Sequence, residues 1–257
     1  MGHRTRNELW LIRHGESVGN VAASAAEADG AEVIPLDIRD ADVPLSPAGE
    51  HQAGALRPWL AERRTSLGAV WCSPYTRARE TLAIAIGDSE LAAPVHVDER
   101  LRDRELGILD LLTSDGVRRR HPEEVARRRH LGKFYHRPPG GESWADVVLR
   151  LRSFLADAAA ESASDGGQAG PSGAGSTLIV AHDAIVMLLL YICLDFSEAD
   201  LLDFAETHTV ANASVTHLVR ESPEQPWRLV EFSNVDHLAE GGAPVTVHSG
   251  DDDVQPE

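Results

Sequence analysis

Four short polar clusters in the sequence contain residue types that together could do chemistry on a phosphate ester. In chain order they contain Arg13 and His14, then Arg77, then Asp103 and Glu105, and finally His182. A phosphate ester resists attack because its anionic oxygens repel nucleophiles, so catalysis needs fixed cations around those oxygens. Arginine suits this task because its planar fork meets two phosphate oxygens at once. The residue types therefore predict a site for a phosphoryl group.

Each residue type suggests a role in phosphoryl transfer. A neutral imidazole is a nucleophile when nearby cations disfavour its protonation, and His14 beside Arg13 fits that description. His182 would stabilise the charge that develops on the phosphoryl oxygens. A carboxylic acid must protonate the departing oxygen and later deprotonate water; the candidates for this role are Asp103 and Glu105.

The elements that precede these clusters indicate how they could meet. Short apolar runs typical of buried strands end just before each cluster, at residues 8–12, 69–72, 95–97 and 177–181. Helical patterns separate the runs, which predicts an α/β fold of three α/β/α layers, with a mostly parallel sheet and helices on both faces. In such sheets ligands bind beyond the carboxyl ends of the strands, so all four clusters are expected at one edge.

Further helices are predicted from their caps. Ser46 and Pro47 are expected to begin one helix, and Ser143 with Asp146 resembles a capping box at the start of another. Residues 118–131 are predicted to form one cationic helix. We expect a mobile loop over residues 162–176, a single domain over residues 1–238, and an acidic, disordered tail over residues 239–257.

Composition narrows the class of protein. The chain has 257 residues and a formal net charge of −17, which argues against nucleic acid or an anionic membrane as partner. No apolar run reaches the roughly 18 residues of a membrane span, and no signal peptide is evident. The only cysteines, Cys72 and Cys193, form no metal-binding pair, so a reducing cytoplasm is expected. No histidine spacing implies a metal or cofactor, and the sequence defines no oligomeric state.

Five sequence blocks resemble the histidine phosphatase superfamily, which includes cofactor-dependent phosphoglycerate mutases and fructose-2,6-bisphosphatase. The blocks run in the family's order between about Leu9 and Asn212. They are Arg13-His14-Gly15-Glu16-Ser17 with Asn20, Leu45-Ser46-Pro47-Ala48-Gly49 with Gln52, Ser73 to Thr81, Leu101 to Gly107, and Pro139 to Ser143.

The resemblance implies a phosphoglycerate mutase-like fold and hydrolysis of a small phosphorylated metabolite through a phosphohistidine at His14, without a metal. It also implies that Arg13, Asn20 and Arg77 bind the phosphoryl group.

Two positions depart from the family's pattern and leave alternatives open. Asp103 stands where the family usually has its glutamate acid, so the resemblance favours Asp103 over Glu105, and Asp183 follows His182 where the family usually has glycine. These departures motivate one alternative, a catalytically impaired phosphate-binding regulator. The family itself supplies the other alternative, a phosphoglycerate mutase-type phosphotransferase. The His182-Asp183 dipeptide also occurs in metal-dependent HD-type phosphohydrolases. That interpretation ranks low, because those enzymes are all helical and a strand precedes the dipeptide here.

Overall fold

A six-stranded sheet forms the centre of the molecule. The computed structural model describes residues 7–88, 90–164, 175–222 and 224–248. The sheet order is β3-β2-β4-β1-β5-β6, in which β1, β2, β3 and β4 are parallel while β5 and β6 complete the sheet in antiparallel fashion. The strands are β1 Asn7–Arg13, β2 Leu67–Cys72, β3 Val95–Val97, β4 Ser176–Ala181, β5 Val215–Arg220 and β6 Arg228–Asn234.

Helices cover both faces of this sheet. In the described residues they are α1 Val18–Ala28, α2 Pro47–Arg63, α3 Thr76–Ile86, α4 Ser114–Arg120, α5 Pro122–Leu131, α6 Trp144–Ser164, α7 Asp183–Cys193, α8 Glu198–Thr207 and α9 Asp236–Glu240. Short 3-10 turns occur at Asp40–Asp42, Glu99–Leu101 and Gly107–Leu109.

The alternation of side chains along β1 builds two separate cores. Leu9 and Leu11 belong to the core shared with α6, α7 and α8, whereas Trp10 and Ile12 belong to the core shared with α2, α3 and α9. A strand buried on both faces is apolar at successive positions, which is the pattern that predicted it. The three-layer α/β/α prediction is confirmed, and the all-helical alternative is wrong because His182 follows a strand of this sheet.

The predicted helix starts at Ser46 and Ser143 are confirmed. The Ser46 side chain accepts a hydrogen bond from the Gly49 amide, with Pro47 in the first turn. The Ser143 hydroxyl accepts from the Asp146 amide at 3.1 Å, and the Asp146 carboxylate accepts from the Ser143 amide at 2.8 Å. Both serines satisfy amides that have no partner within their own helix.

The prediction of one continuous helix over residues 118–131 is wrong. The chain breaks between α4 and α5 at His121, whose φ of −133° and ψ of 54° are not helical. Pro122 follows, and a proline ring disfavours the helical conformation of the residue before it. Pro122 then begins α5, at a position where its missing N–H costs nothing.

The C-terminal segment differs from the expected disordered tail. Residues 236–240 form α9, and residues 243–248, here called the C-terminal strap, lie along the domain. Gln52 donates from Nε2 to the Pro244 carbonyl at 2.9 Å, and the Asn212 amide donates to the Thr246 carbonyl at 3.0 Å. These partners satisfy the strap's backbone, which composition alone could not reveal. The acidic run Asp251 to Asp253 of the expected disordered tail lies outside the described residues. Residues 165–174 of the expected mobile loop also lie outside them.

In the described part of the chain, no helix combines the length and the apolar character that crossing a bilayer requires.

The first turn of α2 packs directly on the chain that follows β1. A Cβ built on Gly49 would lie 1.9 Å from the Glu16 carbonyl oxygen, and one built on Gly15 would lie 2.7 Å from the Gly49 carbonyl oxygen. Backbone therefore meets backbone, with no flexible side chain that could yield. Because Glu16 is two residues from His14, this contact fixes the position of the loop that carries His14.

We predict that Gly49→Ala destabilises the protein by about 1–3 kcal/mol, because the added methyl group pushes the Glu16 backbone away from α2. Gly54→Ala is the matched control in the same helix, since a Cβ there meets nothing within 4 Å. Removing that glycine should stabilise the helix by about 0.5–1 kcal/mol. Urea unfolding of both variants measures the difference; equal unfolding free energies would contradict the proposed contact.

Candidate active site

His14 lies at the carboxyl end of β1, where the parallel strands end together. Its amide donates to the Ala181 carbonyl at 2.9 Å, which ties it to the end of β4. Its side chain is 3 % exposed, and Nδ1 lies 2.6 Å from the Gly15 carbonyl oxygen. A carbonyl only accepts, so the proton is assigned to Nδ1 and Nε2 carries the lone pair.

The pKa of His14 lies well below its ordinary value. Burial is the largest cause, followed by the charge of Arg77, the neighbouring His182 ring and the charge of Arg13. Burial and nearby cations both disfavour the imidazolium form. The site therefore holds a neutral imidazole with an unprotonated Nε2, which is the state that a nucleophile needs.

Arg77 lies at the centre of the site. Its Nε donates to Nε2 of His14 at 3.2 Å, and its Nη2 donates to Oδ2 of Asp103 at 3.0 Å. Its Nη1 donates to the backbone carbonyl of Asp40 at 2.7 Å and to Oδ1 of the same residue at 2.9 Å. The guanidinium is almost fully buried and is positioned by α3, one residue into the helix. One buried cation thus connects the imidazole with two carboxylates.

His182 completes the pair of imidazoles. The two rings are 5.1 Å apart, and Nε2 of His182 lies 2.8 Å from the Ser73 hydroxyl oxygen. Burial first, and then the charges of Arg77, Arg150 and Arg13, hold the pKa of His182 well below its ordinary value. Its Nδ1 lies 3.3 Å from Oδ2 of Asp103, without hydrogen-bond geometry. Nδ1 is thus a buried polar atom facing the same space as His14 and Asp103.

The structure brings Asp103, rather than Glu105, to the imidazoles. One side-chain nitrogen or oxygen atom from each of His14, Asp103 and His182 lies within 4.8 Å of those of the other two residues. Glu105 instead accepts a hydrogen bond from the Tyr75 hydroxyl at 3.1 Å, and half of its side chain is exposed. Arg150 holds the loop that carries Asp103, because its Nη2 donates to the Asp103 carbonyl at 3.1 Å.

Arg13 is held from below by backbone carbonyls. Its Nη1 donates to the Val210 carbonyl at 2.5 Å and its Nη2 to the His248 carbonyl of the C-terminal strap at 2.6 Å. Its Nε has no hydrogen-bond partner among the described residues although the side chain is buried. Burial lowers the pKa of Arg13, opposed by the carboxylates of Asp183 and Asp103. Arginine remains a cation throughout the ordinary pH range, so Arg13 adds a second positive charge to the site.

Asn20 lies beside these residues at the start of α1. Its side-chain oxygen accepts from the Ser17 amide at 3.1 Å and from the side chain of Asn212 at 3.4 Å. Asn212 in turn donates to the His14 carbonyl at 3.3 Å. With the oxygen engaged in this way, the amide nitrogen is the group that could donate to an anion.

Several residues of the site were not singled out from the sequence. The Thr81 hydroxyl accepts from the Gly15 amide at 3.0 Å and donates to the Arg77 carbonyl at 2.7 Å, which links the two phosphate-site segments. Ser73 contacts His182, and its place directly after β2 was the available signal. Asp40 and His248 come from a loop and from the strap, and no local pattern indicated them.

A metal cation fits this arrangement poorly even though three residues of metal-ligating types meet there. Arg77 already donates to the lone pair of His14 Nε2, and its charge and that of Arg13 lower the pKa of both imidazoles. The same charges attract an anion. Two guanidinium groups and two neutral imidazoles can therefore bind a tetrahedral oxyanion, offer it a nucleophilic nitrogen, and place a carboxyl group beside it.

Comparison with solved structures agrees with this geometry. A mycobacterial glucosyl-3-phosphoglycerate phosphatase is 26% identical, with a TM-score of 0.66 over 90% of this chain and 100% of that chain. The alpha-ribazole phosphatase of Shigella flexneri is 21% identical and has a TM-score of 0.66 over 88% of this chain and 96% of that chain. At that identity the second likeness shows the fold alone.

Among proteins of assigned function, human 6-phosphofructo-2-kinase/fructose-2,6-bisphosphatase 1 is 27% identical over 199 residues, which is 77% of this chain. The chain spans about a third of that protein, since the matched region is 35% of it. The sequence profile of the histidine phosphatase superfamily (branch 1) matches residues 9–235, which contain every residue of the site except those of the C-terminal strap. This chain therefore belongs to the histidine phosphatase superfamily.

Proposed function

We propose that the protein hydrolyses small phosphomonoesters through a phosphohistidine formed on His14. The observation that carries the proposal is the lone-pair nitrogen of His14, which faces Arg77 in a buried site where a second neutral imidazole and the Asp103 carboxylate lie within 4.8 Å. The mycobacterial relative named above is, by its name, a phosphatase of a small phosphorylated molecule, which supports the same substrate class here.

In the first half-reaction, Nε2 of His14 attacks phosphorus, so that an N–P bond forms as the P–O ester bond breaks. Arg13, Arg77 and the amide of Asn20 hold the phosphoryl oxygens, and His182 stabilises the charge that develops on them. Asp103, in its protonated form, gives its proton to the departing oxygen. The hydrogen bond from Nδ1 of His14 to the Gly15 carbonyl stabilises the positive charge that this ring acquires.

In the second half-reaction, Asp103 accepts a proton from water as the water oxygen attacks phosphorus. The N–P bond breaks, neutral His14 is restored, and inorganic phosphate leaves. The same carboxyl group thus acts first as an acid and then as a base, which returns it to its starting state. No metal takes part in either step.

We also assign the protein to the cytoplasm. The free, buried thiols of Cys72 and Cys193 support this assignment, because a reducing compartment keeps thiols unpaired.

We predict that incubation with p-nitrophenyl phosphate in EDTA, followed by an alkaline quench, leaves a phosphoryl group on His14 that mass spectrometry detects. His14→Ala should abolish the label and lower kcat/KM by more than about 10³-fold, because the nucleophile is lost. His51→Ala, an exposed histidine of α2, is the matched control and should keep both. Equal labelling of wild type and His14→Ala would refute the nucleophile. Absence of any label and turnover would favour the non-catalytic regulator, and transfer between phosphoglycerates without phosphate release would favour the mutase.

Asp103→Asn should lower kcat by about 10²–10⁴-fold, because the carboxamide cannot exchange a proton with the leaving group or water. Glu105→Gln is the matched control, since that carboxylate contacts Tyr75 rather than the imidazoles, and it should stay within about threefold of wild type. The kcat of each variant is measured from the steady-state release of phosphate from p-nitrophenyl phosphate. The reverse ranking of the two variants would transfer the acid role to Glu105.

A further inference from the structure

The mouth of the site is lined by carboxylates in addition to the proposed acid. We define the carboxylate rim as Asp40, Asp103 and Glu105. All three lie near the Tyr75 hydroxyl: burial raises the pKa of Tyr75, and the charges of Glu105, Asp40 and Asp103 raise it further. The ring centroids of Tyr75 and His182 lie 5.2 Å apart, which places the rim next to the imidazoles.

Two cations near the rim, Arg102 and Arg39, are each paired with an acid outside the rim. Arg102 donates to Glu142 at 2.7 Å and lies 4.0 Å from Glu105. Arg39 forms two hydrogen bonds with Asp42, at 2.8 and 2.9 Å, on the exposed side of the loop. With Arg13 and Arg77 buried, the more exposed carboxylates of the rim are the charges nearest to the outside of the site.

Asp40 is the rim residue that accepts the most hydrogen bonds from Arg77. A guanidinium has five N–H donors. In Arg77 one is directed to His14, and the Nη groups serve Asp103 and three acceptor atoms of Asp40, the last at 3.4 Å. A phosphoryl oxygen that binds Arg77 must therefore displace one of these acceptors, most of which are carboxylate oxygens of Asp40 and Asp103. The Asp40 side chain is nevertheless 43 % exposed, so its negative charge also faces whatever enters.

We propose that Asp40 is a specificity-determining residue, which directs the site toward phosphomonoesters whose leaving group is uncharged or cationic beside the phosphate. A leaving group with a second anion there would lie close to a carboxylate, and like charges brought together at a binding surface oppose association. Burial and the charge of Asp103 raise the pKa of Asp40 against the effect of Arg77, as expected where negative charges crowd together. The inference rests on the proposed function and narrows its substrate class.

The test compares glycerol 3-phosphate with 3-phosphoglycerate, which differ mainly in an alcohol against a carboxylate, and adds O-phosphoethanolamine as a cationic member. Each compound is measured by phosphate release or, if it is not turned over, as a competitive inhibitor of p-nitrophenyl phosphate hydrolysis. Wild type should favour glycerol 3-phosphate over 3-phosphoglycerate by at least about tenfold, and added salt should reduce that ratio.

Asp40→Asn should lower this selectivity ratio by about tenfold, mainly by improving recognition of 3-phosphoglycerate, and Asp40→Ala should act in the same direction. Asp42→Asn removes the same charge from the same turn without a contact to Arg77, and its ratio should stay within about twofold of wild type. Equal ratios in the Asp40 and Asp42 variants, or a wild-type preference for 3-phosphoglycerate, would overturn the inference. In either case continued hydrolysis of p-nitrophenyl phosphate would leave the proposed phosphatase function intact, whereas its absence in wild type would count against that function.

Discussion

The sharing of one buried guanidinium between an imidazole and two carboxylates determines how this site works. Arg77 is almost fully buried, and a buried cation is tolerated only when its donors are matched by acceptors. Here the acceptors are His14, Asp40 and Asp103, each of which has its own part in the proposed reaction or its specificity. A phosphoryl oxygen that binds Arg77 must therefore replace at least one of the acceptors that Arg77 has in the absence of substrate.

The rest of the fold maintains this arrangement from several directions. The sheet brings His14 and His182 together at the ends of adjacent parallel strands. The C-terminal strap and the Val210 carbonyl hold Arg13 at a depth where its charge lowers the pKa of both imidazoles. Burial and positive charge therefore have the same effect on each ring, and both histidines stay neutral. The site therefore has the positive charges of Arg13 and Arg77 inside and the carboxylate rim at its mouth.

Much of this site could be predicted from sequence because its central residues follow strands. The strand that ends at Arg13 and the helix cap at Ser46 are local patterns, which can be recognised from the amino-acid sequence. The sequence favoured Asp103 as the acid but left Glu105 as an alternative, because the choice depends on which of the two side chains a loop places beside the imidazoles. The roles of Asp40 and the strap could not be predicted, because their partners are distant in sequence. The strap's polar, acidic neighbourhood also resembles a disordered tail.

The most direct test of this account is a crystal structure of the protein with orthovanadate, which mimics the pentacoordinate phosphorus of phosphoryl transfer. We predict vanadium bonded to Nε2 of His14, with Arg77 donating to vanadate oxygens in place of at least one of the carboxylates of Asp40 and Asp103. Vanadate bound away from the two imidazoles, or bound beside them while Arg77 keeps every carboxylate contact it has in the free protein, would contradict the claim that one guanidinium serves both states.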